Sequence, residues 1–133
     1  MSDITDILQL PGAELASIER DDTTVTLHFS LFHIVREMEN AFDDSLWTQA
    51  GRLVIRYTGI SGELPDCPCR LAGGDLVNNI YTYRNHAPLP IDWRGSVSCR
   101  LAIEGEPSSV TIDGSAMQLE RIEHPRYIRH VKK

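Results

Sequence analysis

The sequence predicts a single all-β domain over residues 1–133, an antiparallel β-sandwich or barrel of about seven strands with room for one or two short helices. Apolar and polar residues alternate over 97–103, as they do in a half-buried strand. Asp113-Gly114 has the composition of a two-residue type I′ turn, which would pair 108–112 with 115–119. Gly- and Pro-rich segments separate the other apolar runs, as expected of short strands joined by turns.

The composition is that of one ordinary globular domain, with 41% hydrophobic and 24% charged residues among 133. No apolar run reaches the length of a membrane span, so no membrane association is expected. The first twelve residues lack the basic region of a signal peptide, so the sequence predicts a cytoplasmic protein with reduced cysteines. The net charge of −6 argues against nucleic acid as the main partner.

Charge is distributed unevenly along the chain. Residues 1–44 contain ten acids and two bases, whereas residues 121–133 contain five bases and one acid. One interpretation is a basic tail that lies beside the acidic N-terminal part or is simply solvated. The other is a contact surface for an acidic partner.

The N-terminal third predicts three elements. Residues 3–10 have helical spacing and end at Pro11-Gly12, so they predict a short helix. Asp21-Asp22 predicts a hairpin turn that places Ile18 opposite Val25. Residues 31–44 fit either a helix or the continuation of the preceding strand to about Val35, and the strand is favoured because strong alternation leads directly into it.

The remaining segments alternate between strands and loops. Residues 46–60 and 76–83 have strand patterns, and both are rich in β-branched or aromatic residues. Residues 61–75 lack periodicity and predict a long loop, of a length that is often functional. Residues 84–94 predict a second loop, because Pro88 and Pro90 exclude a central strand. Residues 124–133 predict a last short strand or a docked tail.

Four aromatic residues that could line a cavity or a partner surface, with two basic residues, are the candidates for ligand or partner binding, since aromatics provide large contact areas. These candidates are Trp47, Tyr81, Tyr83, His86, Trp93 and Arg94.

Cys67-Pro-Cys69 is the one feature that suggests a metal, with Asp66, His86 and Cys99 as the further ligands that zinc would need. The spacing does not fit a structural zinc site, which uses pairs separated by two to four residues, and a second pair is absent from the sequence. Cys99 also belongs to the apolar face of its strand. The sequence therefore predicts neither a metal site nor a cofactor, and Cys67 and Cys69 are only weak metal candidates.

No nucleophile elbow, dinucleotide fingerprint or phosphate-binding loop is present in the sequence. This favours a non-enzymatic module that binds a protein partner or a second copy of itself. The first alternative is a small-ligand-binding β-barrel with Trp47, Tyr57, Tyr81 and Trp93 near its mouth. The second is an enzyme whose site matches no motif and uses His86, Asp92 and Arg94.

Overall fold

The computed structural model of the protein describes residues 4–39 and 41–132. None of these residues is helical, so the all-β prediction is confirmed and the helix predicted over 3–10 is wrong. The eight strands are β1 (Ile4–Arg20), β2 (Thr24–Met38), β3 (Asp43–Ser61), β4 (Cys69–Asn78), β5 (Tyr81–Arg84), β6 (His86–Pro88), β7 (Asp92–Ile103) and β8 (Ser109–Lys132).

All eight strands belong to one antiparallel sheet in the order β5-β4-β7-β8-β3-β2-β1-β6. The sheet is so strongly curved that β1 also pairs with β4, through Glu14 opposite Arg70 and Leu15 opposite Cys69. Six strands therefore form a closed ring, as in a small barrel. The ring surrounds the core, and β5 and β6 lie outside it as short flanking strands.

The core consists mainly of the inward-facing residues of the ring strands, with Ala87 on β6 and Ile91 just before β7. Val97, Cys99, Leu101 and Ile103 are all buried, which confirms the alternation that predicts this strand. The largest fully buried side chains are Leu10, Leu15, Leu27, Phe32, Ile34, Leu53, Ile55, Leu71, Leu76, Ile91, Leu101 and Ile112.

The hairpin predicted at Asp113-Gly114 is wrong, because β8 runs through this dipeptide without turning. The chain instead reverses between β7 and β8 near Gly105, whose φ is +83°. Gly114 serves close packing: a Cβ there would lie 2.3 Å from the carbonyl oxygen of Arg56. A glycine that permits such an approach has the same sequence signature as a turn glycine.

The β1–β2 hairpin exists, but its register differs from the prediction. Three residues, 21–23, separate the two strands, and Ile18 lies opposite Leu27 rather than Val25. Asp21 fixes this turn, because its Oδ1 accepts hydrogen bonds from the backbone N–H groups of Thr23 and Thr24, each over 2.8 Å. The predicted helix near the N-terminus is instead strand, in which Pro11-Gly12 forms an irregularity of the β1–β2 pair.

Three further predictions need correction. The loop predicted over 61–75 ends at Pro68, and the strand predicted over 76–83 is two strands joined at Asn79-Ile80. Asn79 has a φ of +57°, which fits a two-residue turn. Within the loop predicted over 84–94, the three residues of β6 pair with Ile7–Gln9 at the sheet edge, where proline is tolerated.

Four long strands continue beyond the ring and form an extension that we call the arm, made of residues 4–9, 32–38, 43–49 and 119–132. The arm confirms that residues 31–38 prolong the preceding strand. The predicted last short strand is the end of β8, with Lys132 opposite Asp43 and Arg129 opposite Leu46. The basic end of the chain is thus part of the sheet and not a solvated tail.

Candidate functional site

A polar network crosses the inner face of the arm. Asp6 on β1 accepts hydrogen bonds from Nε and Nη2 of Arg36 on β2, over 2.7 and 3.0 Å. Nη2 of Arg121 on β8 donates to the same carboxylate over 2.8 Å. Nε of Arg121 donates to Gln49 on β3, over 2.7 Å, and Nε2 of Gln49 donates to the carbonyl oxygen of Glu123 over 2.8 Å. The network therefore joins all four strands of the arm.

The charges of this network do not cancel. Asp6 is only 9% exposed, and its hydrogen bonds with Arg36 hold the pKa of its carboxyl below the usual value against the opposing effect of burial. The side chains of Arg36 and Arg121 are 23% and 32% exposed. Two guanidinium groups and one carboxylate leave one positive charge on this face.

Aromatic rings lie beside this charge. The guanidinium of Arg36 lies over the Trp47 ring, 4.8 Å from its centroid. Tyr127 meets Trp47 edge to face with centroids 5.4 Å apart, and His130 follows Tyr127 at 5.6 Å. The predicted site residue Trp47 therefore belongs to the arm.

A small cleft adjoins the network where β8 leaves the ring. Its volume is about 200 Å³, and its walls include Asp6, Arg121, Leu119 and the segment 89–91. The backbone N–H of Leu119 donates to the carbonyl oxygen of Ile91 over 2.9 Å. This hydrogen bond continues the contact between β8 and the segment before β7 by one residue beyond Gln118. A charged group and apolar walls thus meet in one concave place.

The outer edge of the arm is the C-terminal part of β8. β7 pairs with β8 only as far as Gln118, and past Leu119 no strand of the described chain pairs with this edge. Nearly every side chain of residues 121–132 is exposed, including Tyr127 at 47% and Ile128 at 49%. We call residues 126–132 the open edge. It begins after Pro125, because proline has no backbone N–H to donate to an added strand.

Three of the predicted site residues lie together on the strands β5 and β7. The Tyr81 and Tyr83 rings are 4.7 Å apart, and Tyr83 stacks on Trp93 with a centroid distance of 5.6 Å. Tyr83 and Trp93 also pack against the core, so their ring faces are partly occupied by each other and by core side chains. The cluster combines a structural contact with one largely exposed ring, that of Tyr81.

The other predicted residues are distributed over different strands. His86 lies on β6 opposite Gln9 and is exposed. Asp92 and Arg94 begin β7, opposite Gln118 and Ala116 on β8. His86 and the Asp92–Arg94 pair thus lie on two strands that do not pair with each other.

The cysteines lie closer to the core than a loop position predicts. Cys67 and Cys69 are half-buried against core side chains, and Cys99 is completely buried. Desolvation raises the pKa of all three thiols, to about 11 for Cys69 and to about 12 for Cys99. Within the ranges that the structure describes, no three His, Cys, Asp or Glu side chains are grouped to hold a metal ion.

Sequence reasoning missed Asp6, Arg36, Gln49 and Arg121. The first lies in a segment that predicts a helix, and the others are isolated polar residues in or beside apolar strands. One signal was available in the sequence. These polar residues occupy positions that alternation assigns to the inward face of long strands, where an unpaired charge is costly.

Comparison with protein-family models, with curated proteins and with solved structures gave no match. The described residues include no helix with the length and apolar character that would cross a membrane.

Proposed function

We propose that this protein is a non-enzymatic binding module that receives an extended, acidic segment of a protein partner along the open edge. The observation that supports this function is a seven-residue strand with one free edge and exposed apolar and basic side chains. Strand addition supplies main-chain hydrogen bonds for affinity and leaves specificity to the side chains.

Charge favours an acidic segment. Residues 121–132 carry Arg121, Arg126, Arg129 and Lys132 against Glu123, a net of +3 on a protein whose overall charge is −6. The register places Thr48 opposite Arg126 and Leu46 opposite Arg129, so the residues directly opposite these two arginines are neutral. Carboxylates on an added strand would therefore be the nearest opposite charges on that side.

The same charges disfavour a second copy of the chain. Two open edges related by a two-fold axis pair antiparallel. A register centred on Arg129 brings the two Arg129 side chains together and each Arg126 opposite a Lys132. A register centred on Ile128 avoids these direct contacts, but it still brings together two edges that each carry a net charge of +3. Like charges directly opposite each other destabilise a strand pair, so self-association is the less favourable use of this edge.

Exposed apolar residues suit a partner with alternating character. Tyr127 and Ile128 are both about half exposed, at a β-bulge in the pairing of β8 with β3. A segment in which carboxylates alternate with β-branched residues would meet both the basic and the apolar side chains. Exposed apolar area beside an open edge is otherwise a liability for aggregation.

The test uses a synthetic seven-residue probe of alternating Glu and Val with a fluorescent label. We expect saturable binding by fluorescence anisotropy that weakens as salt rises. Arg126→Glu with Arg129→Glu should weaken binding at least about tenfold, which corresponds to about 1.4 kcal/mol. The matched control, Arg56→Glu with Arg84→Glu, changes the net charge equally on other strands and should bind like the wild type.

Two further probes separate strand addition from simple charge attraction. The same peptide with alternate amides methylated keeps its carboxylates but loses half of its N–H donors, and it should bind far more weakly. A Lys-Val peptide of the same length should not bind. Equal binding of the methylated peptide, equal loss in the control variant, or no binding of the Glu-Val peptide would contradict the proposal.

A further inference from the structure

The cleft beside Asp6 and Arg121 points to a second ligand, which differs from the partner of the open edge. We propose that it binds a small monocarboxylic acid with a short apolar body, whose carboxylate meets Arg121 and whose body lies against the 89–91 segment. This site does not depend on strand addition, since its walls come from β1, β8 and the β6–β7 connection.

The charge of the site selects an anion. One guanidinium is balanced by Asp6, and the second is in excess. A guanidinium has five N–H donors, and the contacts of Arg121 with Asp6 and Gln49 engage only Nε and Nη2. Among the residues described, Nη1 of Arg121 has no hydrogen-bond partner, so it can donate to a carboxylate oxygen without displacing the network.

The network holds this donor in place before a ligand arrives. Arg121 is fixed by Asp6 on one side and by Gln49 on the other, over 2.8 and 2.7 Å. Gln49 is itself 7% exposed and is anchored to the Glu123 carbonyl. A side chain that is already ordered loses little conformational entropy when a ligand binds.

The rest of the cleft limits the size and polarity of the ligand. Apart from Asp6 and Arg121, its walls are Ile4, Leu89, Pro90, Ile91 and Leu119, all apolar. Its volume of about 200 Å³ lies below the roughly 300–1,000 Å³ that is usual for drug-sized ligands. A dicarboxylate or a phosphate ester would place a second polar group against apolar walls, which is unfavourable.

The experiment is a titration of the full chain with sodium hexanoate, followed by two-dimensional ¹H–¹⁵N NMR. We expect saturable shifts at Leu119, Ile91 and the Arg121 side-chain Nε. Hexanamide has the same apolar body without the charge, and it should bind at least about tenfold more weakly. Acetate has the charge without the body, and it should also bind more weakly than hexanoate.

Variants locate the site. Arg121→Gln should weaken hexanoate binding at least about tenfold, and Arg121→Lys should lie between that variant and the wild type because it keeps charge but loses the planar fork. Arg52→Gln is the matched control, since Arg52 pairs with Glu120 on the same two strands but lies outside the cleft. Its affinity for hexanoate should be unchanged.

Three outcomes would overturn the inference: equal affinity for hexanoate and hexanamide, equal losses in Arg121→Gln and Arg52→Gln, or no saturable shift with hexanoate. If Arg121→Gln does not fold, the comparison of hexanoate with hexanamide on the wild-type protein still decides. The Glu-Val peptide experiment measures binding at the open edge, and the hexanoate experiment measures binding in the cleft. Either proposal can therefore fail without affecting the test of the other.

Discussion

Asp6 and Arg36 lie directly opposite each other on β1 and β2, and the guanidinium donates to both carboxylate oxygens, over 2.7 and 3.0 Å. Such a two-point contact fixes both the distance and the plane of the pair. Because Arg121 reaches the same carboxylate from β8, this pair also sets how the outermost strand of the arm packs. The polar network thus stabilises the arm in addition to the apolar core, to which the arm contributes Leu8, Phe32 and Ile34.

The first prediction concerns Asp6 and pH. Asp6→Asn should cost about 2–3 kcal/mol near neutral pH, less than for a fully buried pair because both arginines are partly exposed. The folded-state pKa of Asp6 lies below its ordinary value of 3.8. Its stabilising contribution is therefore present above that value and is lost as the pH falls through the lower, folded-state value.

Urea unfolding of both proteins between neutral and acidic pH measures this effect, and their difference in unfolding free energy should shrink below pH 3.8. Asp75→Asn is the control, because Asp75 pairs with the more exposed Arg100, and it should cost less than about 1 kcal/mol. A constant difference between the wild type and Asp6→Asn at every pH would show that the carboxylate charge is unimportant.

The second prediction concerns Gly114. Gly114→Ala should destabilise the protein by about 2–3 kcal/mol or more, because the new Cβ would lie 2.3 Å from a backbone oxygen that cannot move freely. Gly59→Ala is the matched control on the neighbouring strand, since a Cβ there meets nothing within 4 Å. Thermal denaturation should show a large loss for the first variant and a change within about 0.5 kcal/mol for the second. Similar melting temperatures would contradict the close approach of the Arg56 carbonyl to Gly114.

The third prediction concerns the thiols. A maleimide reacts with thiolate, so reactivity follows the pKa and the access of each cysteine. Cys99 should be modified only after unfolding, because it is completely buried and its pKa is raised to about 12. Cys67 and Cys69 should react in the native protein, but more slowly than an unfolded cysteine, and the rate at Cys69 should keep rising with pH toward about 11.

Mass spectrometry of digested protein locates the label, and addition of EDTA tests the metal interpretation of Cys67 and Cys69. We expect no effect of EDTA. If the chelator instead released labelling at these two cysteines, a bound metal would be indicated, since coordinated thiolates are protected until the metal leaves. Fast native labelling of Cys99 would contradict the inward orientation of β7.

The fourth prediction concerns the end of β8. Deleting residues 126–133 should lower the free energy of unfolding by about 1–2 kcal/mol, because strand pairing is lost while few buried side chains are removed. Amide hydrogen exchange should become faster at 43–48, the partner segment on β3, and stay unchanged in the ring. Unchanged protection at 43–48 would show that the tail is not paired in solution.

Alternation of apolar and polar residues determined the fold class and much of the core. Val97, Cys99, Leu101 and Ile103 could be assigned to one face from sequence, because the period of two in a strand is a local property. The continuation of β2 beyond Leu31 and the strand over 46–60 follow from the same local pattern.

Only the tertiary structure decided where the strands turn and which residues meet. Gly114 has the sequence signature of a turn, yet the approach of the Arg56 carbonyl on another strand gives this glycine its role. Asp6 and Arg121 are 115 residues apart in the chain, and their contact depends on the curvature that folds β1 toward β8 across the arm. Local patterns specify which face of a strand is apolar. The polar residues that converge on one face depend on strand order and sheet curvature, which are properties of the whole chain.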